Sequence, residues 1–289
     1  VSVQPLDPRR HAFRPDLADE SLRGRVTANR FVMPQLRRVI HASTPLRGRP
    51  HPRESWTTEA LFGEIVKVFE DHDGWAWAQL QSDGYVGYIR SSALSPHVLH
   101  ATHRVRALGT FLYPEPEVKA PPLVDLPMNA EVAVAEEGLA FSRLHDGSYI
   151  PARHIAPVSQ PLRDFVEVAE RFLGVPYLWG GKSRLGLDCS GLVQVALHAC
   201  GAWCPRDSDM QGNELGMPVE VTSALDNLQR GDLVFWRGHV GILLDAFTLL
   251  HANGYHMCVA EEPFSSAVDR IGKSGSPVLA VRRMRVAGA

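Results

Sequence analysis

The stretch Val175-Pro-Tyr-Leu-Trp-Gly-Gly181, followed after five residues by Leu187-Asp-Cys-Ser-Gly-Leu-Val-Gln194, constrains this chain more than any other. A glycine-rich loop there gives way to an apolar run at helical spacing. Leu192, Val193, Ala196, Leu197 and Cys200 share the period of one helix face, and Gly201 follows as a stop. Cys189 therefore falls in a first helical turn. Unsatisfied backbone N–H groups and the positive end of the helix dipole favour thiolate over thiol there, and thiolate is the reactive form. The commoner occupation of a cysteine is that of a small buried hydrophobe, so its partners have to decide between the two.

The remaining chain divides by pattern. Residues 1–37 are polar, with arginines among prolines and acids, and read as an arm in which Asp16 to Val26 form a short helix. Residues 38–100 alternate in short strand-like segments at Val39–Ile40, Leu61–Val68, Trp75–Leu80 and Tyr85–Ile89, parted by Arg47-Gly48, Asp73-Gly74 and Asp83-Gly84. Such spacing makes a small barrel. Residues 101–158 look like a second copy, with strands at Arg104–Phe111, Ala130–Ala135 and Phe141–Leu144 and a proline-rich loop from Pro114 to Pro127. Residues 159–289 open on a helix with Pro161 near its first position and Phe165, Val168, Ala169 and Phe172 on one face. The cysteine helix follows, then apolar strands at Asp232–Trp236, His239–Leu244 and Leu249–Ala252 and a last strand near Pro277–Met284. Helix first and sheet afterwards is an α+β order.

Charge and composition exclude several functions. With 30 basic and 32 acidic residues the formal net charge is −2, which leaves no global basic field for nucleic acid or an anionic membrane. No apolar run reaches the roughly 18–20 residues of a membrane span. The first ten residues have no apolar core like that of a signal peptide, so a cytoplasmic location is expected, unless the sequence is a processed form. Four cysteines in 289 residues do not read as a disulfide framework, and Cys200 and Cys204 are spaced wrongly for a C-x-x-C metal pair. No metal or cofactor is expected.

Two histidines could work with Cys189. His239 begins Gly238-His-Val-Gly-Ile-Leu-Leu-Asp245, where the small Gly241 leaves room for another chain or a substrate. His251 sits among apolar neighbours in Leu249-Leu-His-Ala-Asn253. Side by side on two strands, they would supply a base and its orienter to the nucleophile. Either could equally be a hydrogen-bonded structural residue.

Ala60-Leu-Phe-Gly-Glu-Ile-Val-Lys-Val68, Gly74-Trp-Ala-Trp77 and Asp83-Gly-Tyr-Val-Gly-Tyr-Ile89 together resemble a bacterial SH3 domain. Tyr177-Leu-Trp-Gly-Gly181, Asp188-Cys-Ser-Gly191, Gly238-His-Val-Gly241 and His251-Ala, in this order, resemble the NlpC/P60 cysteine peptidases. The resemblance implies an α+β, papain-like catalytic domain preceded by two small all-β SH3-like barrels. It implies a triad of Cys189, His239 and His251, with Asp188 and Ser190 lining the acceptor side. Tyr177 would stand near the oxyanion position, and Ser208, in a further matching stretch, would touch substrate. The whole architecture is similar to γ-D-glutamyl-L-diamino acid endopeptidases of the YkfC type. That implies cleavage of murein peptides of the form L-Ala-γ-D-Glu-diamino acid whose L-Ala amine is free, as in cell-wall peptide recycling. An SH3-borne carboxylate, Glu59 or Glu64, would hold the amine, with Tyr85 beside it. The rival readings are an exported peptidoglycan hydrolase and a wall-binding module tethered by its SH3 domains. Oligomeric state and the identity of the diamino acid stay open at this point.

Overall fold

The computed structural model describes residues 6–221 and 227–284, so the first five residues of the arm and the last five of the chain lie outside it. The chain forms two compact units, one of residues 1–105 and 110–155, the other of 106–109 and 156–289.

The first unit is built of strands. Its main sheet is antiparallel and seven-stranded, in the order Trp56–Leu61, Ser43–Arg47, Val86–Arg90, Trp75–Leu80, Ile65–His72, Gln35–Val39, Leu94–Ser95. Val39, Leu46, Val66, Ala76, Leu80 and Ile89 fill its core, as inward positions of alternating strands should. The segment read as one strand from Leu61 to Val68 is two, divided at Gly63. That residue has φ of +87°, and a Cβ on it would stand 2.0 Å from the Glu131 carbonyl oxygen. Only glycine fits a backbone so close to its neighbour. Glu64 closes this turn by accepting the Leu61 N–H at 2.7 Å and the Ser82 hydroxyl at 2.9 Å.

The arm is part of this unit. The expected helix over 16–26 is replaced by a strand at Leu17–Asp19, one 3-10 turn at Glu20–Leu22 and a strand at Arg30–Val32 parallel to the first. Asp19 caps the turn by accepting the Ser21 N–H, so the acidic residue ends up serving a turn and no longer helix follows. Ala12 and Leu17 pack on Phe69 and Trp77, and the Arg14 guanidinium lies 4.3 Å from the Trp77 ring centre while donating to Glu70 at 2.7 Å.

Residues 103–157 form three small sheets around Val105, Leu112, Leu126, Val132, Leu144 and Ile150. The stretches Arg104–Phe111 and Ala130–Ala135, expected as single strands, are each broken in two. Phe62 of the first sheet's turn joins this second core, and its carbonyl accepts the Glu131 N–H at 2.8 Å.

The second unit carries four helices among the described residues: α1 (Phe165–Glu170), α2 (Cys189–Ala199), α3 (Ser208–Glu214) and α4 (Phe264–Lys273). The first helix begins four residues after Pro161, because Asp164 caps it with bonds from Val166 and Glu167 N–H. A six-stranded antiparallel sheet runs in the order Met217–Val219, Ala280–Arg283, Asp232–Trp236, His239–Leu243, Thr248–Asn253, Cys258–Pro263. Helix α2 is buried along nearly its whole length and packs on the two strands that carry His239 and His251. No helix among the described residues is long and apolar enough to cross a membrane.

Candidate active site

Cys189 is the first residue of α2 and is almost wholly buried. Two close backbone contacts hold it there. A Cβ on Gly191 would stand 2.3 Å from the Gly181 carbonyl oxygen, and one on Gly181 would stand 2.4 Å from that of Gly186. The glycines of the loop and helix are therefore needed for contact between backbones.

Asp188 caps the helix, accepting the Gly191 N–H at 2.7 Å and the Gly180 N–H at 2.8 Å. It also binds Arg206, whose Nη2 and Nη1 lie 2.7 and 2.9 Å from its two oxygens. Arg206 is 1% exposed and donates again to the Ser190 hydroxyl at 2.8 Å. Asp188 and Ser190, expected to line the acceptor side, both accept from this guanidinium, as a buried cation requires. Ser208 begins α3 and is half-buried.

The loop before the cysteine is stitched to the sheet's edge. Gly174 and Tyr177 donate N–H groups to the Val259 and Met257 carbonyls, both at 2.9 Å, and Val259 donates to the Val175 carbonyl at 2.8 Å. Tyr177 is held near the cysteine this way. Burial pushes its phenol up to about 12, with the Cys189 side chain adding to the shift.

On the other side of Cys189 stands the hairpin Asp232–Trp236 to His239–Leu243, closed by Arg237-Gly238 with Gly238 at φ +68°. The Gly238 carbonyl oxygen lies 4.0 Å from the Cys189 sulfur. His239 Nε2 is 2.8 Å from His251 Nδ1. The two rings meet because the strands pair in a register, Ile242 with Leu250 and Leu243 with Leu249, that continues to put Gly241 opposite His251. The room at Gly241, expected to serve another chain or a substrate, is filled from within. A Cβ there would meet Leu249 at 2.7 Å and His251 Cβ at 3.3 Å.

Sequence reasoning missed the next link. Glu262 accepts from His251 Nε2 at 2.7 Å, and Arg270 of α4 grips both Glu262 oxygens at 2.5 and 2.6 Å. Glu262 is two residues past Ala260, the register partner of His251, and so lies diagonally across the same sheet face. A signal was available: Glu262 interrupts an otherwise strand-like segment beside a histidine strand. Reading it requires the register, which the sequence does not carry.

The electrostatics differ from the expectation of a resting thiolate. Burial, with the Asp188 carboxylate adding to it, pushes the Cys189 thiol up to about 12. Burial first, and the neighbouring His251 and Arg270 next, take His239 down to about 3. Both shifts favour the neutral thiol and the neutral imidazole. The helix terminus is outweighed first by the burial of the sulfur and then by its own acidic cap. His251, His256 and Glu262 are near enough to share an ion, yet Arg270 already supplies a cation to Glu262, which opposes a second one.

Glu59, Glu64 and Tyr85 all belong to the first unit and are buried. Glu64 is engaged in the Gly63 turn as described, and Tyr85 packs in the core of the seven-stranded sheet.

Comparison with known proteins bears on the family and the fold. Residues 174–270 match the model of the NlpC/P60 family, and residues 46–94 match that of the bacterial dipeptidyl-peptidase Sh3 domain. The chain is 31% identical over 222 residues to the gamma-D-glutamyl-L-lysine dipeptidyl-peptidase of Bacillus subtilis (strain 168), covering 68% of this chain and 71% of that one. It is 40% identical over 243 residues to dipeptidyl-peptidase 6 of Lysinibacillus sphaericus, covering 74% and 86%. The crystal structure of an NlpC/P60 family protein from Bacillus cereus ATCC 10987 superposes with a TM-score of 0.72 at 19% identity, over 86% of this chain and 99% of that one. At that identity the superposition speaks for the fold.

Proposed function

This chain belongs to the NlpC/P60 family of cysteine peptidases, and we propose that it cleaves the γ-D-glutamyl–diamino acid bond of murein peptides with a free N-terminal L-Ala. The observation that carries the reading is the 2.8 Å His239–His251 bond on the strand that abuts the cysteine helix, with Gly238 against the Cys189 sulfur. The names of the relatives supply the substrate class.

In this reading Cys189 is the nucleophile, His239 the base and His251 its orienter. Because thiol and imidazole are both neutral at rest, proton transfer from sulfur to His239 accompanies attack on the γ-amide carbonyl. The Cys189 N–H, in the first turn of α2 and so without an intrahelical acceptor, is a donor for the oxyanion, with Tyr177 beside it. The imidazolium then protonates the leaving diamino-acid amine. Water, deprotonated by the same ring, hydrolyses the thioester and restores the thiol.

Residues 103–157 are read as a second, divergent SH3-like copy, following the SH3 match over 46–94. The SH3-borne candidates remain proposals: Glu59 or Glu64 as the partner of the L-Ala amine, with Tyr85 beside it, all three buried in the first unit. A substrate with a free amine has already left its sugar, which suits recycling in the cytoplasm. Mass spectrometry of L-Ala-γ-D-Glu-diaminopimelate and its N-acetylated twin, each with reduced protein, tests all of this. Cleavage of the free-amine peptide alone supports recycling. Cleavage of both favours a wall hydrolase, and cleavage of neither removes the peptidase reading.

A further inference from the structure

Two imidazoles joined by one hydrogen bond are symmetric in principle, since either ring can donate and the other accept. The choice matters here. If His251 donates to His239 Nε2, then neutral His239 carries its proton on Nδ1 and has no lone pair to offer a thiol. If His239 donates, Nδ1 is the basic nitrogen. It is the one ring nitrogen of His239 that the His251 bond leaves for Cys189.

We propose that Glu262, clamped by Arg270, is the positioning residue that makes this choice for both rings. Its Oε1 lies 2.7 Å from His251 Nε2, and an ionised carboxylate can only accept. His251 therefore carries its proton on Nε2 and presents a bare Nδ1 to His239. At 2.8 Å, His239 Nε2 must then be the donor. A preference written at Glu262 thus reaches the nitrogen that serves Cys189, two hydrogen bonds away. Geometry supports the assignment at each link. His251 is 1% exposed, so water does not compete for its nitrogens, and Glu262 is 9% exposed.

Arg270 is what keeps Glu262 an acceptor. Burial works to raise the Glu262 carboxyl, but the bonds from Arg270 and His251 outweigh it and hold the group below its ordinary value. The same guanidinium discourages transfer of the His251 proton to Glu262, because the carboxylate's charge is already shared. Also beside the two rings are the Trp236 ring, 5.6 Å from that of His239, and the His256 ring, 6.4 Å from that of His251. Neither of these can accept a proton more readily than a carboxylate at 2.7 Å.

This inference rests on the peptidase reading for its purpose, but its test does not. Uniformly 15N-labelled protein shows the imidazole nitrogens of each histidine directly. The wild type is expected to carry protons on Nε2 of both His251 and His239. In Glu262→Gln the amide can donate as well as accept, and both rings are expected to become tautomeric mixtures. Turnover (kcat) is expected to fall about tenfold to a hundredfold with KM little changed, as losses of ring-orienting partners do. The pH profile of Cys189 alkylation should shift in the same variant. Glu262→Asp, which still only accepts, should return the wild-type tautomers and part of the rate. A wild-type His251 protonated on Nδ1, or tautomers and alkylation unchanged in Glu262→Gln, would overturn the inference. If Glu262→Gln does not fold, the wild-type and Glu262→Asp spectra decide. Tautomers that follow Glu262 in a protein that cuts no murein peptide would leave the inference standing and remove the peptidase reading.

Discussion

Cys189 stands between two buried polar networks of similar chemistry and different purpose. On the helix side, Arg206 is closed in by Asp188, Ser190 and the Gly181 carbonyl, and Asp188 also caps α2. On the sheet side, the polar groups run in a line from Arg270 through Glu262 and His251 to His239. The first network turns inward on a guanidinium that never gives up its proton. The second ends on an imidazole that can. An arginine–carboxylate pair is present in both, so the pair alone does not mark chemistry. What marks it is a titratable ring at the end of the chain.

The contrast sharpens if the two sides fail differently. Cys189→Ala, which removes the group both networks frame, should lower turnover of L-Ala-γ-D-Glu-diaminopimelate by about 10⁴-fold or more while the unfolding midpoint stays near wild type. Retained activity would end the mechanism. Next in size is Asp188→Ala. It leaves Arg206 charged and buried without its partner, and should cost about 3–5 kcal/mol in urea denaturation. Replacing Asp188 and Arg206 together by apolar residues should recover much of that loss, and a double variant as unstable as the single would show that the cap, not the ion pair, dominates. On the sheet side, His251→Ala should keep the fold and leave a residual rate, down about 10²-fold, because it orients and does not react. Unfolding in that variant would make the histidine pair structural.

Acid should act through the sheet side first. Unfolded imidazoles take up protons near pH 6.5, whereas burial takes His239 and His251 in the folded protein down to about 3 and about 4. The unfolded state binds more protons in that interval, so stability present above pH 6.5 drains as pH falls. Between pH 6.5 and 4.5 the loss should amount to about 2 kcal/mol or more. The lowered Glu262 carboxyl adds to it only further down, below the ordinary glutamate value of 4.5. Unfolding curves at stepped pH check this, and replacing both histidines by Asn should flatten the interval. Smallest is Gly241→Ala, whose new Cβ presses on Leu249 and His251. It should cost about 1–2 kcal/mol and slow turnover by displacing the orienting ring.

Much of the site was legible before any coordinates. Cys189 announced itself through a glycine loop and a helical period, both local signals of a few residues. His239 and His251 were legible as strand histidines with apolar neighbours. The misreadings share a cause. The helix expected over 16–26 and the unbroken strand expected over 61–68 were judged on local pattern, while packing on Trp77 and the close approach of Glu131 to Gly63 decided otherwise. The resting thiolate was expected from the helix terminus alone, before the burial of the sulfur and the nearness of Asp188 could be weighed.

By itself, then, the sequence determined the elements whose physics is local: the capped helix with its cysteine, the alternation of the strands and the glycines that admit close backbones. The tertiary structure alone decided which polar groups meet. Glu262 and His251 are eleven residues apart and become neighbours only through strand register, while Arg206 reaches Asp188 across eighteen. Hydrogen bonds depend on distance to within tenths of an ångström. No pattern of residue types along a chain holds that information until the sheet has paired and the helix has packed on it.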